Sequence, residues 1–110
     1  MVERVLEFVV DKQRLTKKKD CDFSNIVAGS VGYLRAKFYF SDEWKNCKKV
    51  GSFALSDSEE FPVLLDNKDS CLIPKQALTG DKFFVSVLGG NPKTSYRIKT
   101  TKVKVKQEVT

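Results

Sequence analysis

Along residues 32–40 the side chains alternate without a slip. Leu34, Ala36, Phe38 and Phe40 share one side of an extended chain, and Tyr33, Arg35, Lys37 and Tyr39 share the other. A period of two belongs to a β-strand, whose successive side chains point to opposite faces of a sheet; a helix would scatter the same apolar groups around its circumference. This segment predicts a strand with one dry and one wet face. The pattern recurs in residues 82–88, where Phe83, Val85 and Val87 oppose Phe84, Ser86 and Leu88, and in the last strand, which sets valine inside and lysine outside. In residues 2–10, Leu6, Phe8 and Val10 share one side while Glu3, Glu7 and the apolar Val5 and Val9 share the other, which predicts a first strand covered on part of both faces.

The intervening chain reads as turns and shorter strands. Residues 13–16 continue the first pairing beyond a bend, residues 17–22 form a polar loop, and Gly29, Ser30 and Gly32 favour irregular chain over helix. Residues 41–44 read as a turn with one helical turn capped by Ser41, and residues 48–55 resume strand character with Gly51 as the place for a bulge. The runs 61–65 and 70–73 flank Asp66-Asn67-Lys68-Asp69, a composition suited to a hairpin loop, and Pro74 ends the second run. Residues 75–78 suit a brief helical turn, Gly89-Gly90-Asn91-Pro92 a turn, and residues 95–99 and 101–109 the last two strands. Seven or eight short strands with turn signals every eight to twelve residues predict an all-β domain, an antiparallel β-sandwich in preference to a small OB-like barrel.

With 110 residues and 41% hydrophobic content, the chain is expected to form one domain over 1–110 with one core. No apolar run approaches the roughly 20 residues that span a bilayer, and the acidic residues within the first apolar stretch argue against a secretory signal, so a soluble domain made and folded in the cytoplasm is expected. Cys21, Cys47 and Cys71 are widely spaced, and the chain has no histidine. That composition falls short of a four-ligand zinc site and removes any Ser-His-Asp or Cys-His arrangement within the chain. Reduced thiols are expected, with Cys71 a small core residue, and neither metal, cofactor nor enzymatic activity is expected.

A formal charge of +6 favours an anionic partner, and the lysines cluster at 17–19, at 48–49 and at Lys102, Lys104 and Lys106. On the last strand those lysines read either as a basic stripe or as guards of a sheet edge. Tyr33, Arg35, Lys37 and Tyr39 interleave basic and aromatic groups on one presumed outer face, which reads as a polar sheet face or one buried against another copy rather than as a surface stacking on bases. No RNP-type signature accompanies them, so nucleic acid is the weaker partner class. Trp44, the sole tryptophan, reads as an interface anchor or as a plug closing one end of the sandwich. These eight residues are the candidate interface. The Gly89-Gly90 pair is not followed by a phosphate-loop signature.

The landmarks stand in a recognisable order. Lys12-Gln13-Arg14-Leu15-Thr16 leads to Tyr33-Leu34-Arg35-Ala36-Lys37-Phe38-Tyr39-Phe40, then to Trp44, Lys49-Val50 and Phe53. Val63-Leu64-Leu65-Asp66, Cys71-Leu72-Ile73-Pro74, Phe84-Val85-Ser86-Val87, Gly89-Gly90 and Ile98-Lys99-Thr100-Thr101 follow. In this order the chain resembles small structural proteins of tailed phages of Firmicutes hosts, and is similar to the N-terminal domain of phage baseplate upper proteins. The resemblance implies an immunoglobulin-like sandwich of a virion, docked on capsid, tail, baseplate or fiber subunits, with self-association a further option. It brings no catalytic residue with it. The rival expectation is a small phage-encoded inhibitor or regulator that binds a host protein or nucleic acid.

Overall fold

The computed structural model describes residues 2–110 and contains nine strands in two facing sheets. One sheet has the order β2-β1-β3-β6, from β1 (Arg4–Asp11), β2 (Arg14–Lys17), β3 (Leu34–Phe40) and β6 (Ser70–Leu72). The other runs β5-β4-β7-β8, from β4 (Lys48–Ser56), β5 (Glu59–Leu64), β7 (Lys82–Asn91) and β8 (Tyr96–Lys99), with β9 (Val103–Lys106) also pairing β7. The chain passes between sheets from β3 to β4, from β5 to β6 and from β6 to β7. This is an immunoglobulin-like β-sandwich, with two open sheets in place of the closed OB-like barrel that is its structural competitor.

The alternating segments meet where their periodicity demands. Leu6, Phe8, Val10, Leu34, Ala36 and Phe38 from one sheet and Phe53, Phe83, Val85, Val87 and Val105 from the other are buried in one contiguous core. Each large apolar side chain so buried contributes about 1.5–3 kcal/mol relative to exposure. Cys71 joins this core as expected, and two short 3₁₀ turns, Asp42–Trp44 and Lys75–Leu78, stand where the sequence predicts brief helical turns. Between β1 and β2 the bend at Lys12, with φ 56°, returns the chain antiparallel to itself.

Five local expectations are corrected. The sandwich is not wholly antiparallel: β1 and β3 run in the same direction over seven residue pairs. A parallel pair needs a long return connection, and residues 18–33 supply it. Arg4 holds that connection in place by donating to the backbone carbonyls of Asp22, Ser24 and Asn25 at 2.9, 2.6 and 3.2 Å. The hairpin of the middle region is not at 66–69 but at Asp57-Ser58, between β4 and β5, whereas 66–69 carries the chain from one sheet to the other. The bulge of β4 falls between Ala54 and Ser56 and not at Gly51, whose missing Cβ leaves room for the Phe53 ring and the Leu65 side chain. Ser41 does not cap its turn through its side chain; its hydroxyl accepts from the Lys12 backbone N–H at 2.7 Å.

Gly89 and Gly90 are not in the turn but inside β7, which extends to Asn91 before residues 92–95 reverse the chain. The reason lies above the strand. Trp44 is fully buried with its ring against Gly89, and a Cβ there would lie 2.7 Å from both Cε3 and Cζ3 of the indole. The indole N–H donates to the Lys12 carbonyl at 2.7 Å, so one side chain joins the β1–β2 bend, the β3–β4 crossing and β7. Gly89→Ala should therefore destabilise the protein by about 1–3 kcal/mol through overpacking. Gly90→Ala, whose Cβ would meet only the Tyr96 carbonyl at 3.5 Å, should be close to neutral. Urea midpoints of the two variants separate the effects, and equal midpoints would contradict the packing assigned to Trp44.

Candidate functional site

On the outer face of the four-stranded sheet, Tyr33, Arg35, Lys37 and Tyr39 do share a side, as the alternation requires, but their polar groups are largely spent on one another and on nearby carboxylates. Arg35 pairs with Glu3 at 3.0 Å and with Asp66 at 3.7 Å and donates to the Ser70 hydroxyl at 3.2 Å. Lys37 donates to the Lys68 carbonyl, and the Tyr39 hydroxyl donates to Glu7. The ammonium groups of Lys18 and Lys37 stand 5.8 and 5.3 Å from the Tyr39 ring centroid, within cation–π range. A ring flanked by two ammonium groups has little face left for a nucleobase. Only Tyr33 and the exposed apolar Val5 and Leu72 leave this face open.

The titration behaviour follows the same contacts. Hydrogen bonding to Glu7 holds the Tyr39 phenol above its ordinary pKa, and the Glu3 partnership does the same for Arg35. Asp66 lies below the ordinary carboxylate range because the backbone N–H groups of Lys68 and Ser70 donate to it. Its ionised form is favoured in the folded state, so its contribution is present above the ordinary carboxylate range and is lost as pH falls through the depressed value.

Trp44 is not part of any accessible face. Its complete burial over Gly89 leaves it as the plug of the sandwich and removes it from the candidate interface.

The lysines of the last strand belong to a different surface, the outer face of the five-stranded sheet. Strands β8 and β9 lie in line along one edge of β7, but the register advances by one residue between them: Leu88 pairs Lys99, whereas Val85 pairs Val103. The extra residue falls within 100–102. There Thr100 bonds to Val87 through backbone and hydroxyl, while Thr101 turns to the other sheet, donating its N–H to the Gln13 carbonyl at 2.8 Å and accepting from Leu15 N–H at 3.1 Å. A one-residue step exchanges the faces of a strand. It therefore places odd-numbered Arg97 and Lys99 on the same side as even-numbered Lys102, Lys104 and Lys106, while Ile98, Val103 and Val105 all turn inward.

That face is hollowed. One hollow of about 500 Å³ is lined by Val50, Pro62 and Leu88 with Asp57, Glu60, Lys99 and Lys102 at its walls. A neighbouring one of about 410 Å³ shares Val50 and Leu88 and continues past Lys48 to Tyr96 and Arg97. Beyond the β4 bulge, Asp57 at the hairpin tip comes within 3.5 Å of Lys102, between β8 and β9. Leu64, Val50 and Leu88 are paired across three strands and form an apolar row along the floor, with Leu64 64% and Leu88 38% exposed. Cross-strand neighbours of this kind stand about 4.5–5.5 Å apart, close enough to present one continuous patch.

Val50, Leu64, Leu88, Lys48, Arg97 and Lys99 are absent from the candidate interface that the sequence suggests. Leu88 does stand on the outer side of its strand by alternation, but nothing local to it tells that Val50 and Leu64 are its neighbours. Among the described residues, no group of three or more Cys, Asp or Glu side chains is placed to hold a metal ion, and no helix is long and apolar enough to cross a membrane. Comparison with protein-family models, curated proteins and solved structures finds no match.

The three cysteines are free, and burial pushes the Cys71 thiol up to about 12. At pH 8 the native protein should react with Ellman's reagent at the half-buried Cys21 and Cys47 only, and at all three thiols once unfolded. A third thiol titrating at the same rate in the native state would contradict the burial of Cys71. Because the folded form keeps Cys71 protonated where the unfolded thiolate forms, its contribution to stability falls as pH rises from about 9 toward 12.

Proposed function

We propose that this chain is a structural or accessory subunit of a bacteriophage particle, and that it attaches to other virion subunits through the outer face of its five-stranded sheet. Head decoration and tail, baseplate or fiber attachment all fall within this reading. The observation that carries it is the contrast between the two sheet faces. One neutralises its charges internally, whereas the other leaves an apolar row in a hollow beside a line of basic groups. The resemblance of the ordered sequence landmarks to baseplate-type proteins is what suggests the virion setting.

Docking needs no catalytic group. A standard protein interface buries about 1,600 Å² in total, and repeated copies on a particle add avidity without new contacts. Exposed apolar side chains gathered on one face, as Leu64 and Leu88 are on either side of the half-buried Val50, mark such surfaces.

A second reading, a regulator binding nucleic acid or a host protein, draws on the same basic line. Steep salt dependence of a measurable DNA or RNA affinity would favour it.

Mass spectrometry of gradient-purified particles, made from the genome that carries this gene, should recover peptides of the chain at a fixed ratio to the major subunits. Leu88→Asp should lower that ratio about tenfold, as expected when an apolar anchor at the centre of an interface is replaced. Complete particles without the chain would overturn the proposal.

A further inference from the structure

We infer that the hollowed face takes an extended acidic segment of a partner protein, seating one apolar side chain of that segment over Val50 and Leu88 while its carboxylates meet the basic line of β8 and β9. This rests on the docking reading of that face and names the chemistry of the partner.

The charge arrangement sets the sign. Lys48, Arg97, Lys99, Lys104 and Lys106 make no ion pair among the described residues, in contrast to Arg35, Lys49 and Lys102. Of the two carboxylates beside the larger hollow, Asp57 lies 3.5 Å from Lys102, whereas Glu60 accepts from the Ser52 hydroxyl at 3.2 Å and keeps its charge. Free cations thus outnumber free anions on this face, and opposite charge on the partner would steer its approach. The floor sets the rest. Val50, Pro62 and Leu88 give the larger hollow an aliphatic floor, and the aromatic ring of the adjoining one, Tyr96, is held by its hydroxyl donating to the Glu43 carbonyl at 2.9 Å, so the floor suits an aliphatic side chain better than a base. Asp57 and Glu60 at the wall would repel a phosphate backbone, whereas a peptide can set a neutral or basic residue there.

The margin beside the line of cations is tied to the rest of the chain at both ends of β9, which shortens the edge open to strand addition. Thr101 bonds to Gln13, and Glu108 exchanges backbone hydrogen bonds with Ile26 and Ala28 beyond the end of β9. The segment lies across the face, held by side chains.

The test is a titration of the full chain, isotopically labelled, with a synthetic dodecapeptide of aspartate, glutamate and serine carrying leucine at every fourth position. Amide shifts should centre on Val50, Leu88 and Lys99. Affinity should fall about tenfold in Lys99→Glu/Lys104→Glu and in Leu88→Asp, and should weaken as salt screens the exposed charges. Arg14→Glu, on the other sheet, should leave it unchanged. Urea midpoints confirm that each exposed-site variant remains folded.

Four results would overturn the inference: no shift at millimolar peptide, shifts centred on the four-stranded sheet, tighter binding of an oligonucleotide of equal charge, or a homodimer in sedimentation that Lys99→Glu/Lys104→Glu dissolves. Failure of this titration with the chain present in particles removes the partner chemistry alone. Success with the chain missing from particles removes the virion setting alone.

Discussion

The contact between the Trp44 indole and the bare backbone of Gly89 is the constraint on which the arrangement of the two sheets depends. Trp44 sits in the short connection from β3 to β4, where the chain leaves one sheet for the other. Its ring closes the end of the core over β7, packs against Phe40 at 5.1 Å between centroids, and hands its N–H to the β1–β2 bend. A large side chain that is fully buried with its single donor satisfied fixes several elements at once, because any shift of one opens a cavity or strands a polar group. Phe8, Phe38, Phe53 and Phe83 then fill the space between the sheets.

From that frame follows the difference between the two outer faces. The four-stranded sheet brings Glu3, Glu7 and Asp66 close to Arg35 and Tyr39, and the groups satisfy each other. Exposed pairs of this kind add little stability, but they consume the charges that would otherwise meet a partner. On the five-stranded sheet, the extra residue within 100–102 has the opposite result. It lets Thr101 tie the sheets together and at the same time turns two out-of-phase basic series onto one side. The bulge of β4 lies next to the hairpin whose Asp57 and Glu60 wall the hollow. Two single-residue irregularities thus lie on the face proposed for docking.

Alternation alone makes the strands of this chain legible in its sequence. The inward sets Leu34-Ala36-Phe38 and Phe83-Val85-Val87 are buried as their spacing requires, because a period of two has only one way to place successive apolar groups on one side. Where sequence and structure part, the deciding neighbour is distant along the chain. Gly89-Gly90 carries the composition of a turn, and only Trp44, forty-five positions earlier, explains why Gly89 belongs to a strand. Asp66-Asn67-Lys68-Asp69 does turn the chain, with Asp66 accepting from Lys68 and Ser70, but whether a turn stays in one sheet or crosses to another is not written in its four residues. The same holds for the interface: Tyr33, Arg35, Lys37 and Tyr39 are visible in the sequence as a row, while the carboxylates that occupy it come from Glu3, from β1 and from the 66–69 turn.

By itself the sequence determined that this chain builds sheets, which residues of each strand face the core, and that its surplus charge is positive, because these depend on periodicity and composition alone. Tertiary structure decided which strands pair, that β1 and β3 run in parallel, and which basic groups remain unpaired. Those outcomes depend on contacts between residues far apart in the chain, and a one-residue step in register is enough to exchange the inside of a strand for its outside.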